Sequence, residues 1–144
     1  MTRKTLCLFL PVLFFLGCTS GPRPIEYGAD KCDFCRMTIV DPQFAAQLVT
    51  SKGRVYKFDA IECMLDMLEQ DPEKEYSHVL VCDFSGRGEL IAAQSCTYLI
   101  SRQMPSPMGA FLSAHARKED AELFQQNNGG DLYSWEELQR HRRQ

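Results

Sequence analysis

Polar and apolar residues divide the chain into segments of different period. Arg3 and Lys4 precede an eleven-residue apolar run, Leu6 to Leu16, interrupted only by Pro11. A bilayer-spanning helix needs about 20 apolar residues, so a basic head with a short apolar core reads as a secretory signal over residues 1–17. Residues 18–29 read as a linker. Within it, Thr19 to Tyr27 carries Gly21, Pro22 and Pro24, the composition of an extended tether. Periodic patterning starts after residue 30. Phe44 to Thr50 reads as a strand, Ser51-Lys52-Gly53 as a turn, and Arg54 to Phe58 as the returning strand of a hairpin. Asp59 is placed to cap a helix, with Glu62 as its capping-box partner. Ile61, Met64, Leu65 and Leu68 then repeat at helical spacing as far as about Gln70, where Asp71-Pro72 ends the run. Ser77 to Phe84 is apolar on nearly both faces, as a central strand would be.

The second half is patterned similarly. Leu90 to Ile100 predicts one or two strands, and Met104 to Met108 is a Pro-rich loop. Gly109 to Ala114 predicts a short strand. Glu119 to Asn127 predicts a helix closed by Asn128-Gly129-Gly130, and Ser134 with Glu137 is a capping box for a last helix. Strand–strand–helix–strand thus occurs once clearly and once plausibly. The expected class is α+β, with a domain over 30–144 and halves near 30–86 and 87–144.

Composition narrows the function. The chain has 144 residues and a formal net charge of −3, and it loses two cations if the signal is cleaved. A nucleic-acid binder would need a basic face to neutralise phosphates. There are seven cysteines, an odd number that cannot all pair within one chain. Leu16-Gly17-Cys18 resembles the lipoprotein box, in which the cysteine becomes the lipidated first residue of the mature chain. Cys7 is then removed and Cys18 acylated, which leaves Cys32, Cys35, Cys63, Cys82 and Cys96 in an oxidising envelope. Thr19 rather than Asp after Cys18 resembles the pattern of lipoproteins sent to the outer membrane.

The chemistry is expected among the soft donors. Cys32 and Cys35 form a C-x-x-C pair, with Met37 two residues further on. Four readings compete. A redox dithiol wants the motif at the start of a helix, but Thr38-Ile39-Val40 is β-prone. A structural zinc site wants a second such pair. A plain disulfide over so short a loop would constrain the unfolded chain little. A Cu(I) site wants thiolate and thioether donors together, which C-x-x-C-x-M supplies. Met104 and Met108 flank Pro105-Ser106-Pro107, and a stiff loop of this kind suits a ligand that arrives from elsewhere in the fold. Taken alone, such a methionine is more often a gap-filling core residue. Cys63, Cys82 and Cys96 read best as core thiols. His115 could reach a metal from its strand, while His78 and His141 look like ordinary surface or strand-end residues.

Four segments in order carry a specific resemblance. Leu16-Gly17-Cys18, Cys32-x-x-Cys35-x-Met37, Phe58-Asp59-Ala60-Ile61-Glu62-Cys63-Met64-Leu65 and Ser106-Pro107-Met108-Gly109 together resemble the NosL family. These are copper-binding lipoproteins that assist maturation of nitrous oxide reductase, an enzyme of denitrification. The resemblance implies two ββαβ units, similar to those of an organomercurial-lyase-like fold. It implies Cys35, Met37 and Met108 as Cu(I) ligands, with Cys32, His115 and Met104 as auxiliaries. It further implies a periplasm-facing carrier, not an enzyme, that delivers Cu(I) to the copper-sulfide centre of apo nitrous oxide reductase alongside an ABC-transporter-linked assembly complex. The family pattern commonly has Gly where this chain has Arg36. The rival from another class is a thiol–disulfide oxidoreductase using Cys32 and Cys35.

Overall fold

A computed structural model describes residues 21–143. The expected signal peptide, Cys7 and the expected lipidation site Cys18 lie outside the described residues.

Two antiparallel sheets form, each from a strand pair, a helix and a third strand. In the first, β1 (Ala46–Thr50) pairs with β2 (Val55–Phe58), α1 (Ile61–Gln70) follows, and β3 (Tyr76–Cys82) returns to the other side of β1. A fourth strand, β4 (Leu90–Ala92), adds to the β3 edge before a 3-10 turn at Ala93–Ser95. In the second, β5 (Thr97–Ile100) pairs with β6 (Leu112–His115), α2 (Lys118–Asn128) follows, and β7 (Asp131–Tyr133) returns to the free side of β5. The helix α3 (Trp135–Arg142) closes the chain. The strand orders β2-β1-β3 and β6-β5-β7 are the same arrangement, with the first strand of each unit in the middle. The α+β class and the paired ββαβ units are therefore present.

One core serves both sheets. Ile25, Leu48, Phe58, Ile61, Met64 and Val81 from the first half meet Tyr98, Leu112, Trp135 and Leu138 from the second. All five residues of β1 are buried, Gln47 included. A buried amide must be hydrogen-bonded. Gln47 accepts from the Arg23 amide (2.8 Å) and donates to the Arg23 carbonyl (2.7 Å). The segment expected to be a tether is thus docked from residue 23 onward, with Ile25 buried behind it.

Three local expectations change. Asp59 does not cap α1: the N-cap is Ala60, and no side chain bonds the first turn. Glu62 correspondingly does not reach back along its own helix but takes the Ser106 hydroxyl from a distant loop. The strand expected from Gly109 starts only at Leu112, because Phe111 is in the left-handed region (φ 61°). The three-residue β7 was not legible, being too short for any period to show. It follows Gly130, whose φ of 99° turns the chain onto β5. The capping box at Ser134 and Glu137 forms as expected.

Candidate metal centre

The Cys-x-x-Cys pair sits on a tight hairpin knuckle. The Gly28 amide donates to the Ile39 carbonyl (2.8 Å), the Ile39 amide to Asp30 (2.9 Å) and the Cys32 amide to Met37 (2.8 Å). Inside this ladder the Arg36 amide donates back to the Cys32 carbonyl (3.1 Å). Closing so short a turn puts Arg36 at φ 68°, where a residue with a Cβ is strained. The pair does not open a helix, so the helix dipole that activates redox dithiols is absent from it.

The knuckle is clamped to β2. The Asp33 amide donates to the Lys57 carbonyl and the Lys57 amide to Asp33 Oδ2, both at 2.8 Å. Lys57 Nζ also pairs with Asp30 at 2.5 Å. The chain leaves β2 into Asp59-Ala60 and the first turn of α1, which carries Cys63. As a result the sulfurs of Cys32, Cys35 and Cys63 all lie within 4.8 Å of one another. Cys32 and Cys63 are fully buried, and Cys35 is half-buried.

The trio shares its protons unevenly. Cys32 is drawn down to about 5, first by the hydrogen bond from the Cys63 thiol and then by backbone hydrogen bonds from Asp59, Cys35 and Phe34, against the effect of burial. Cys63 is pushed up because its proton is engaged with Cys32 and because it is buried. Burial also pushes Cys35 up. Three thiolates so close would repel one another in a low-dielectric site, so a single negative charge is held until a cation arrives. Asp59 adds a carboxyl raised by burial, with its Oδ1 lacking a partner. Sulfur donors around a buried negative charge suit a soft cation.

Cys63, read as a core thiol, is fully buried in the core, and there its sulfur also joins the cluster with Cys32 and Cys35. Its position beside the apolar stripe of α1 disguised it. The signal that marks it is the pair of buried acids around it, Asp59 and Glu62, which an ordinary core segment would not carry. Cys82 and Cys96 do lie in the core: the Cys82 sulfur meets the Tyr27 hydroxyl at 3.6 Å, and the Cys96 thiol donates to the Ala92 carbonyl at 3.3 Å.

The other expected ligands are distributed as follows. Met37 extends from the knuckle and is 52% exposed. Met108, on the Pro-rich loop, is 41% exposed, whereas Met104 is buried. That loop is fastened to α1 by the Ser106 hydroxyl, which donates to Glu62 immediately before Cys63. His115 is outside the thiol cluster. Its ring is stacked among Phe84 and Phe124, its Nε2 faces Ser113 Oγ at 3.0 Å, and burial holds its pKa down.

Known proteins agree with this geometry. No curated protein sequence matches the chain. The crystal structure of the copper chaperone NosL from Shewanella denitrificans is similar in fold, with a TM-score of 0.71 and 24% identity, over 82% of this chain and 95% of that one. The family profile named NosL matches residues 24–142, from the docked tether through α3. With the profile covering nearly every described residue, the chain belongs to the NosL family.

Proposed function

We propose that this protein is a Cu(I) carrier of the cell envelope, delivering copper for assembly of the copper-sulfide centre of nitrous oxide reductase. The observation that carries the reading is the cluster of Cys32, Cys35 and Cys63, three soft donors within 4.8 Å, in a chain of the NosL family. In the proposed set Met37 and Met108 are exposed donors, Cys35 is half-buried, and Cys32 and Cys63 are buried. Thiolate and thioether together favour Cu(I) over harder ions. A carrier must also release its cargo. Half-exposed thioethers can give way to a recipient's donors one at a time, so the ion need never be free in solution. No transition state has to be stabilised, and the protein is a carrier, not an enzyme.

Acylation at Cys18 would tether the domain to a membrane, with Thr19 consistent with the outer one. None of the helices among the described residues is long and apolar enough to cross a bilayer. The proposed recipients are apo nitrous oxide reductase and a periplasmic assembly complex linked to an ABC transporter.

The rival oxidoreductase reading fits the thiols poorly. An exchange nucleophile must be both ionised and accessible. Here the ionised thiol, Cys32, is fully buried, and the accessible one, Cys35, is held protonated. Anaerobic Cu(I) titration against a high-affinity chelator tests the proposal. Cys35→Ser and Met37→Leu should each weaken binding; unchanged copper stoichiometry and affinity in both would overturn it. Cys32→Ser would abolish a dithiol exchange activity outright.

A further inference from the structure

We infer that Glu62 is a positioning residue for the metal centre: its carboxyl pins the Met104–Met108 loop to the first turn of α1 and so sets where Met108 stands relative to Cys63. The inference rests on the reading of Met108 as a copper ligand.

Glu62 is 3% exposed and Ser106 is 7% exposed, so their contact is an interior one. The Ser106 hydroxyl donates to Glu62 Oε1 and in turn accepts from the Phe111 amide at 2.9 Å. Apart from the Ser101 hydroxyl, which donates to the Asn128 carbonyl at the end of α2 (2.9 Å), the loop's other bonds close it on itself. The Ser101 amide donates to the Phe111 carbonyl (3.0 Å) across its neck, Met104 to Ser101 (2.9 Å), and Gly109 to Ser106 (3.0 Å). Pro105 and Pro107 remove further freedom. A loop that is rigid inside and attached to α1 through this carboxyl shifts relative to α1 as a unit when that attachment is lost. Met108 lies between Ser106, which the carboxyl holds, and Phe111, whose amide Ser106 holds.

Stability alone does not explain this carboxyl. Its Oε2 is buried without a hydrogen-bond partner, a costly state for a polar atom. It does not cap its own helix either, since the first turn of α1 has no side-chain cap. Its hydrogen bond from Ser106 reaches the segment that carries Met108, and Cys63 is its neighbour in the chain. A buried group that fastens one proposed ligand beside another acts on the metal by orienting donors, as outer-sphere partners of metal ligands do.

A double-mutant cycle in the full-length protein tests this, with Cu(I) affinity measured by chelator competition. Ser106→Ala and Glu62→Leu should each weaken binding about tenfold, the scale of lost outer-sphere support. In the Met108→Leu background neither should weaken it further, because the donor they place is already gone. Ser106→Ala removes one oxygen and carries the test if Glu62→Leu fails to fold. Full additivity with Met108→Leu, or wild-type affinity in Ser106→Ala, overturns the inference while leaving Met108 as a ligand. If Met108→Leu alone binds as wild type does, the ligand reading itself fails, and the positioning role with it.

Discussion

The Cys63 sulfur, in the first turn of α1, lies within 4.8 Å of the Cys32 sulfur on the N-terminal knuckle, and this proximity organises the site. One sulfur is supplied by a helix and the other by a loop clamped to β2. Neither segment forms the cluster without the other.

The first expectation concerns that pair of sulfurs. Cys63→Ser keeps the volume and a hydroxyl donor but removes a soft ligand. Cu(I) affinity should fall about tenfold or more, while the thermal midpoint moves little. Chelator competition alongside thermal denaturation separates the two effects. Wild-type affinity in this variant would place copper on Cys35 and the methionines alone.

Copper uptake should be proton-coupled. Cys35 and Cys63 are both pushed up and so carry protons at neutral pH, while Cys32, drawn down to about 5, does not. Cu(I) must displace the protons of the thiols it binds. Affinity therefore rises with pH from about 5 through neutrality, by up to about two protons per ion, and falls on acidification. Below about 5, Cys32 takes up a proton as well and the fall steepens. Competition titrations at several pH values measure the slope, and a flat profile would count against direct thiolate ligation.

Arg36 carries a removable strain. At φ 68° its Cβ is crowded, and the site calls for glycine. Arg36→Gly should stabilise the fold by about 1 kcal/mol without lowering Cu(I) affinity. Denaturant unfolding measures the gain. A loss of stability would mean that the arginine side chain supports the knuckle more than its backbone strains it.

Gly130 should tolerate no side chain. Its φ is 99°, and a Cβ there would run into the Ile100 carbonyl oxygen and the Ser101 backbone, where β7 joins β5. Gly130→Ala should cost about 2 kcal/mol or more, since both the conformation and the space oppose it. Thermal denaturation of the metal-free protein is the measurement; a midpoint equal to wild type would contradict this account of the β7 turn.

The anchor is testable separately. Cys18→Ser should abolish incorporation of radiolabelled fatty acid and release the protein from the membrane fraction of expressing cells. Persistent membrane association without acylation would point to a different mode of attachment.

Much of the fold was legible along the chain because its signals are local. The helical stripe of Ile61, Met64 and Leu65, the hairpin around Ser51-Lys52-Gly53 and the Ser134 capping box depend on residues a few positions apart, and each formed where the spacing put it. The cap at Asp59 failed for the opposite reason. Glu62 found a better partner in Ser106, remote in sequence, and local chemistry lost to a tertiary bond.

The candidate site divides in the same way. Cys32, Cys35 and Met37 declare themselves within one short segment as a set of soft donors, and that pattern by itself determined the kind of ion to expect. Tertiary structure decided which other sulfur joins them. It set the core residue Cys63 beside the pair, kept Cys82 and Cys96 elsewhere in the core, and enclosed His115 among aromatic rings. The physical reason is range. A donor's softness belongs to its own atoms and can be read from the chain, whereas a cluster spanning less than 5 Å depends on how a knuckle, a strand and a helix pack.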